Sequence, residues 1–319
     1  MQELYKKLKE FGKVRLNKTM DKQTTFRIGG SVFALIEVDE TEKLVKLLDF
    51  LRGENQEYFI LGSGSNILWK DEDYEGVIIK IKTQEIDIKS LFADKQESEI
   101  NIDAGVLLAQ LVNTATQNDL TGLEWGAGIP GTIGGAVRGN AGAFGGCIGG
   151  VIESVRVYRD GEVIELKLEE CDFGYRESIF KENSDVILST KVKLKKGDKK
   201  EILSQVQEYL KYRSGRFAPF PSAGSFFKNL PLSVWEKDKK ILPLKFLEIN
   251  KIAAGWLVDE VKMRGIEIGG AKVSDEHANF IVNFNKATQK DVLELIEDIK
   301  LKVYNKYGIE LEEEVQIIY

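Results

Sequence analysis

The chemistry most plainly written into this 319-residue chain is anion binding by bare backbone. Twelve of its thirty glycines lie between Gly122 and Gly150, most of them in GIPGTIGGAVRGNAGAFGG, residues 128–146. Glycine at that density costs folding entropy, and it is kept where the backbone takes positive φ or comes very close to another group. Successive N–H groups in such turns form a concave nest that holds phosphate oxygens without a cationic side chain. A second loop of the same kind, Gly62-Ser63-Gly64-Ser65-Asn66, follows the strand-like YFIL. Two cradling loops point to paired phosphates, a pyrophosphate. Neither loop continues into GK[ST], and the longer one begins after a helix and Trp125 instead of turning a strand directly into a helix. The P-loop and the dinucleotide fingerprint are thereby excluded. A ligand-free use of the same glycines, in a barrel corner or close helix packing, is the alternative.

Other site chemistries are short of residues. His277 is the sole histidine, so a Ser-His-Asp hydrolase lacks its base and a catalytic zinc lacks its ligands; no metal is expected. Cys147 and Cys171 form no metal-spaced or CxxC pair, which fits a reducing compartment and a cytoplasmic location. A net charge of −6 offers no general attraction to nucleic acid or an anionic membrane, so an anionic ligand must be held locally. The charged N-terminus MQELYKKLKEFGK has no apolar core, and no run of eighteen apolar residues occurs. Neither export nor a membrane span is expected.

The elements that must position these loops are α/β. Residues 32–82 alternate strand-like VFALIEV, YFILG and GVIIKIK with a helix in which Leu44, Leu47, Leu48 and Leu51 repeat at helical spacing. EINIDAG (99–105) reads as a strand and LLAQLVNTATQND (107–119) as a helix, leading into the glycine tract. VIESVRVYRDGEVIELK reads as a hairpin turning on Asp160-Gly161. After strand VILSTKVKL and helix EILSQVQEYLKY, the proline-bearing RSGRFAPFPSAGSFFKN ends a domain. The remainder holds helix AAGWLVDEV, strand NFIVNF, a long helix from Gln289 opened by Thr288 and Asp291, and a final strand LEEEVQIIY.

The succession FRIGG (26–30), GSGSN (62–66), AG (104–105), GIPGTIGGAVRGNAGAFG, YRESIFK (175–181), PSAGSFFKN (221–229), VSDEHANFIVN (273–283) and LEEEV (311–315) resembles the UDP-N-acetylenolpyruvoylglucosamine reductase family from about residue 18 onward. No single motif carries that resemblance alone. It implies an α+β fold: a two-subdomain FAD-binding fold of the vanillyl-alcohol-oxidase/p-cresol-methylhydroxylase type plus a C-terminal α/β substrate domain. The expected divisions are 1–82 and 83–216 for the FAD-binding subdomains and 217–319 for the substrate-binding domain. The implied activity is noncovalent FAD reduced by NADPH, followed by hydride delivery to the enolpyruvyl ether of a UDP-linked sugar, giving UDP-N-acetylmuramate in the cytoplasm. A monomer is expected. A small-alcohol oxidase of the same fold and a catalytically silent nucleotide-binding regulator are the rival readings.

The resemblance also implies site residues. Arg176 matches the catalytic arginine, a permanently charged fork suited to an enolate-like carboxylate. Ser225 matches the proton donor, and a free hydroxyl is a poor acid that needs charged neighbours. Glu314, the last glutamate before Val315, matches the third catalytic position, with Glu312 as the alternative, since residues 312 and 314 of a strand share a face. Arg213, Arg216 and Asn229, with Tyr175, stand where the family holds its substrate. Arg27, Gly62, Gly64, Ser65, Asn66, Gly131, Gly134, Gly135 and Asn140 are the FAD candidates, and Arg138 faces either a phosphate or water. His277 has no catalytic counterpart. Gln316 stands where arginine is frequent, and VSDEHANF matches the subtype without a substrate-capping tyrosine loop, which implies an active site dependent on domain movement.

Overall fold

In the computed structural model, which describes residues 2–90, 97–214 and 219–319, the chain is α+β and divides into two compact units. The first comprises Met1–Lys18, Val32–Ser63 and Tyr74–Gly215; the second comprises Thr19–Ser31, Gly64–Asp73 and Arg216–Tyr319.

The first unit is built on two sheets. One has the order Lys13–Thr19, Ser31–Val38, Tyr74–Ile81, Tyr58–Ile60, with the last three strands parallel. Parallel neighbours need a crossover, supplied by helix Thr41–Gly53, which buries the leucine stripe 44, 47, 48 and 51. The other sheet is antiparallel, in the order Glu162–Lys167, Ile152–Arg159, Val186–Lys196, Glu97–Asp103, Ile86–Ser90. Its hairpin turns on Asp160 (φ 51°) and Gly161 (φ 95°), the left-handed pair that matches strand twist. Both sheets feed one continuous core that includes Ile36, Ile79, Ile102, Leu111, Ile133, Val157 and Val192.

The second unit has its own core, with Phe226, Phe227, Leu257, Val258, Ile281, Leu295 and Ile299 at its centre. Phe26, Ile28 and Leu68 are buried in that core, which is the physical reason two N-terminal stretches belong to it. Its antiparallel sheet runs Ser222–Ser225, Phe280–Asn283, Ala271–Val273, Glu267–Ile268. Helix Gln289–Tyr307 is capped reciprocally. The Asp291 N–H donates to Thr288 Oγ1 (3.1 Å), the Thr288 N–H donates to Asp291 Oδ2 (3.0 Å), and Gly308 at φ 72° closes the other end. Ladder pairing at the C-terminus is confined to Gln316–Ile317, parallel to Ile67–Leu68, so the strand expected over LEEEVQIIY is much shorter than its sequence pattern. PSAGS, which reads as a loop, instead forms the edge strand Ser222–Ser225.

Candidate functional site

In the first unit, the two glycine-bearing loops meet. The chain leaves strand Tyr58–Ile60 through Gly62, where a Cβ would stand 2.7 Å from Thr132 Oγ1, so only a bare residue permits the approach. Gly62, Ser63, Gly105 and Thr132 wall an open cavity of about 270 Å³, shared with Lys80, Lys82, Gln84 and Gln110. Lys80, near the end of strand Tyr74–Ile81, and Lys82, just beyond it, are two apart, and both line the cavity. Burial and the neighbouring Lys82 charge hold the Lys80 ammonium below its ordinary range, with Glu37 acting in the opposite sense. The residues present fit a dinucleotide's diphosphate: bare backbone permits close approach, and two ammonium groups supply charge. Sequence reasoning passed over both lysines; the signal was the alternation in GVIIKIK, which spaces them two apart.

The N–H groups that open helix Ile133–Arg138 are engaged by the chain itself. Ile133 donates to Val106 O (2.8 Å), Gly134 to Ala104 O (2.9 Å) and Gly135 to Thr132 Oγ1 (3.3 Å). Gly131 takes φ 145° and its carbonyl accepts from the Leu108 N–H (3.0 Å). Asn140 is buried, with its amide donating to Gly174 O (2.6 Å) and accepting from the Gly149 N–H (3.0 Å). Arg138 is half-buried, which lowers its pKa.

Arg176 sits in a two-residue turn between Gly174 and Glu177, beside the exposed Tyr175 ring, whose centroid is 5.3 Å from the guanidinium carbon. Burial lowers the pKa of Arg213, from helix Lys199–Ser214, and the neighbouring Arg176 charge lowers it further. The Arg213 guanidinium lies 5.2 Å from the Phe144 ring centroid, and a Cβ on Gly128 would meet its Cδ at 2.9 Å. Among the described residues, its Nε and Nη2 are buried without a hydrogen-bond partner. Buried donors of that kind call for an acceptor from elsewhere. Two arginines and an aromatic rim therefore form a positively charged corner, a candidate place for an anion. Arg216 lies outside the described residues.

In the second unit, Ser225 ends the edge strand Ser222–Ser225 just after a register break. Gly224 at φ 85° makes that bulge possible and re-aims the serine. Backbone pairing brings Glu314 alongside: the Glu314 N–H donates to Phe226 O (2.8 Å), the Lys228 N–H donates to Glu312 O (2.9 Å), and Phe227 bridges Glu313. Three successive glutamates are thus fixed by one short pairing. The Glu312 carboxylate pairs with the Lys228 ammonium and Glu313 with Lys300 at 2.6 Å, whereas Glu314 is half-buried at the Ser225 end of the pairing. Buried Asn279 clamps the same segment through the Phe227 N–H (3.0 Å) and Phe227 O (2.9 Å). His277 accepts the Asn279 N–H at Nδ1 (3.1 Å), a structural duty.

The FAD candidates assigned here cluster around this feature. Asn66 donates to Glu314 O (3.0 Å), and its own carbonyl accepts from the Gln316 N–H (3.0 Å). Gly64 at φ 65° presses on the Gln23 carbonyl, and Thr25 joins the Gly64 carbonyl (3.0 Å) to Ser222 O (2.7 Å). Ser65 is half-buried between them in sequence. Arg27 is exposed at φ 55°, its carbonyl held by Asn283 (3.0 Å). Asn229 is exposed and accepts the Ala254 N–H (3.1 Å), capping helix Ala254–Glu260.

Family models match both parts of this geometry: an FAD binding domain over residues 33–167 and the UDP-N-acetylenolpyruvoylglucosamine reductase C-terminal domain over residues 216–318. Fold and cofactor site together define an FAD-dependent oxidoreductase, a two-subdomain FAD-binding fold joined to a C-terminal substrate domain. The UDP-N-acetylenolpyruvoylglucosamine reductases of Caldanaerobacter subterraneus subsp. tengcongensis and Clostridium tetani are each 36% identical to the chain. The first alignment covers 99% of this chain and 98% of the relative, the second 96% and 92%. The crystal structure of UDP-N-acetylenolpyruvylglucosamine reductase from Thermus caldophilus aligns with a TM-score of 0.74 at 32% identity, over 97% of this chain and 99% of that one. The chain belongs to the UDP-N-acetylenolpyruvoylglucosamine reductase family, FAD-dependent enzymes of peptidoglycan precursor synthesis. Among the described residues, no helix is long and apolar enough to cross a membrane.

Proposed function

We propose that this chain reduces the enolpyruvyl ether of UDP-N-acetylenolpyruvoylglucosamine to UDP-N-acetylmuramate, with NADPH as the electron donor, as a cytoplasmic monomer. Residues 1–82 and 83–216 serve FAD and residues 217–319 serve the substrate. When bound, FAD supplies the hydride chemistry, accepting from NADPH and giving to the β-carbon of the enolpyruvyl group. Gly62, Ser63, Lys80 and Lys82 hold the diphosphate, and Gly131, Gly134 and Gly135, with Arg27, Gly64, Ser65 and Asn66, are the further FAD candidates, whereas the Asn140 amide is taken up by Gly174 and Gly149.

Addition beside a carboxylate builds negative charge on that carboxylate and the α-carbon, so a fixed cation aimed there lowers the barrier. Arg176 takes that role, its fork holding both carboxylate oxygens. Ser225 delivers the proton to the α-carbon, and Glu314 polarises the group or relays the proton. Arg213 and Arg216, with Tyr175 and Asn229, hold the sugar diphosphate. The observation that carries this reading is the pairing that fixes Glu314 one residue from the Ser225 strand end, while Glu312 and Glu313 are drawn into lysine pairs.

The test is anaerobic. NADPH should bleach the flavin of the purified holoenzyme, and the UDP-linked enolpyruvyl sugar should restore its absorbance stoichiometrically. Restoration by oxygen with a small alcohol as reductant would instead mark an oxidase, and absence of flavin a silent binder.

A further inference from the structure

Arg176 adopts φ 61°, a left-handed conformation that favours glycine. For a long side chain this conformation is strained, and it persists only where the surroundings impose it. The turn is closed on both sides, by the Gly174 N–H to Glu177 O (3.1 Å) and the Glu177 N–H to Gly174 O (3.3 Å). A glycine at 176 would satisfy the backbone equally well, so the strain serves the side chain.

Three side chains impose the turn. Asn140, only 6% exposed, donates its amide to Gly174 O at 2.6 Å while its carbonyl is held by the Gly149 N–H at 3.0 Å. Lys181 donates to Arg176 O at 2.5 Å. Ser178, 2% exposed, donates to Arg138 O at 2.6 Å and so ties the far side of the turn to the glycine tract. Both polar ends of the Asn140 amide are thus committed to protein backbone. The turn also has something to resist, because Arg213 places a second positive charge beside Arg176. Like charges drift apart unless the backbone bearing them is rigid.

We propose that Asn140, with Lys181 as a second anchor, is a positioning residue for Arg176: it fixes the left-handed turn that presents the guanidinium beside Arg213. The inference rests on the carboxylate-binding role given to Arg176 above. It assigns the asparagine of the glycine tract to the substrate half-reaction through its side-chain contacts.

Asn140→Asp tests this in the flavin-loaded enzyme, because it keeps the acceptor for Gly149 and turns the donor toward Gly174 into a repelling oxygen. Flavin content and the rate of NADPH bleaching should hold, while reoxidation by the UDP-linked enolpyruvyl sugar slows about tenfold or more; in an Arg176→Ala background the same change should add less than about twofold. Lys181→Gln, at a partly exposed site that spares the fold, should slow reoxidation by about threefold to tenfold and should likewise add little to Arg176→Ala. Equal losses in both half-reactions, loss of flavin, or additivity with Arg176→Ala would overturn the positioning role. Unchanged reoxidation in Arg176→Ala alone would remove the reading beneath it, a different outcome from full loss in Arg176→Ala with no effect of Asn140→Asp.

Discussion

The Arg176 turn of the first unit and the pairing of residues 226–228 with 312–314 in the second reach the same end by opposite means. The turn is local. Its catalytic candidate lies two residues from the carbonyl that Asn140 grips, and precision comes from a strained conformation held by side-chain hydrogen bonds. The pairing is long-range, joining positions 226–228 to 312–314 through regular backbone hydrogen bonds, with Asn279 as the clamp. A cation that must face another cation is fixed by strain. The segments that carry the serine and glutamate candidates are fixed by backbone pairing.

The largest expected effect breaks the first side of that contrast. Arg176→Ala should slow substrate-driven reoxidation by roughly 10²- to 10³-fold, the usual loss when a group that stabilises developing negative charge is removed. Stopped-flow absorbance should show NADPH bleaching little changed; a loss confined to the NADPH step would reassign the residue.

The second side is probed by Ser225→Ala, expected to slow the same step by about 10²-fold with bleaching preserved. Glu314→Gln and Glu312→Gln sharpen it further. The first should slow reoxidation by about tenfold or more. The second should leave the rate alone and cost no more than about 1 kcal/mol, as for other exposed pairs. A larger rate effect at Glu312 would exchange their roles.

Asn279→Ala separates clamp from chemistry. It strands the buried Phe227 N–H and carbonyl, each costing about 1–3 kcal/mol, so denaturant melting should show roughly 2–5 kcal/mol lost in the second unit. Full stability in that variant would mean the pairing needs no clamp.

The smallest effect is acid sensitivity. The Arg264 hydrogen bonds hold the Asp259 carboxyl below its ordinary pKa. Burial raises that of Asp291, but bonds from Thr288 and Gly270 outweigh it and the net shift is downward. A depressed carboxyl stabilises the fold above its unfolded pKa, near 3.9, and that contribution disappears as pH falls through the folded value. Both lie in the second unit, whereas the Arg176 turn is anchored by amide, hydroxyl and ammonium groups that do not titrate there. Below about pH 4 the fluorescence of Trp235 and Trp256 should respond before near-ultraviolet signals from the first unit.

Much of this was legible in the chain, and for identifiable reasons. The leucine stripe at 44–51, the Asp160-Gly161 turn and the Thr288/Asp291 cap depend on neighbours within a turn or two, so their spacing declares them. The order of short motifs declared the family and pointed to Arg176, Ser225 and Glu314 as candidates. What stayed hidden depends on contacts across hundreds of positions. No local pattern announces that Phe26, Ile28 and Leu68 are buried with Phe226 and Ile299, or that Lys228 and Lys300 take up two of three adjacent glutamates. The glycine tract was read as a set of phosphate donors. Its spacing is equally compatible with N–H groups turned inward, as at Gly134 and Gly135, and with a bare seat for Arg213 at Gly128.

The parallel pairing of Ile67–Leu68 with Gln316–Ile317 sets a schedule for biosynthesis. At about 5–20 residues per second, roughly ten to fifty seconds separate the emergence of those two segments from the ribosome, and Ile67–Leu68 must wait unpaired for that interval. The first unit can collapse while translation continues. The second can complete this pairing only after residues 316–317 have emerged.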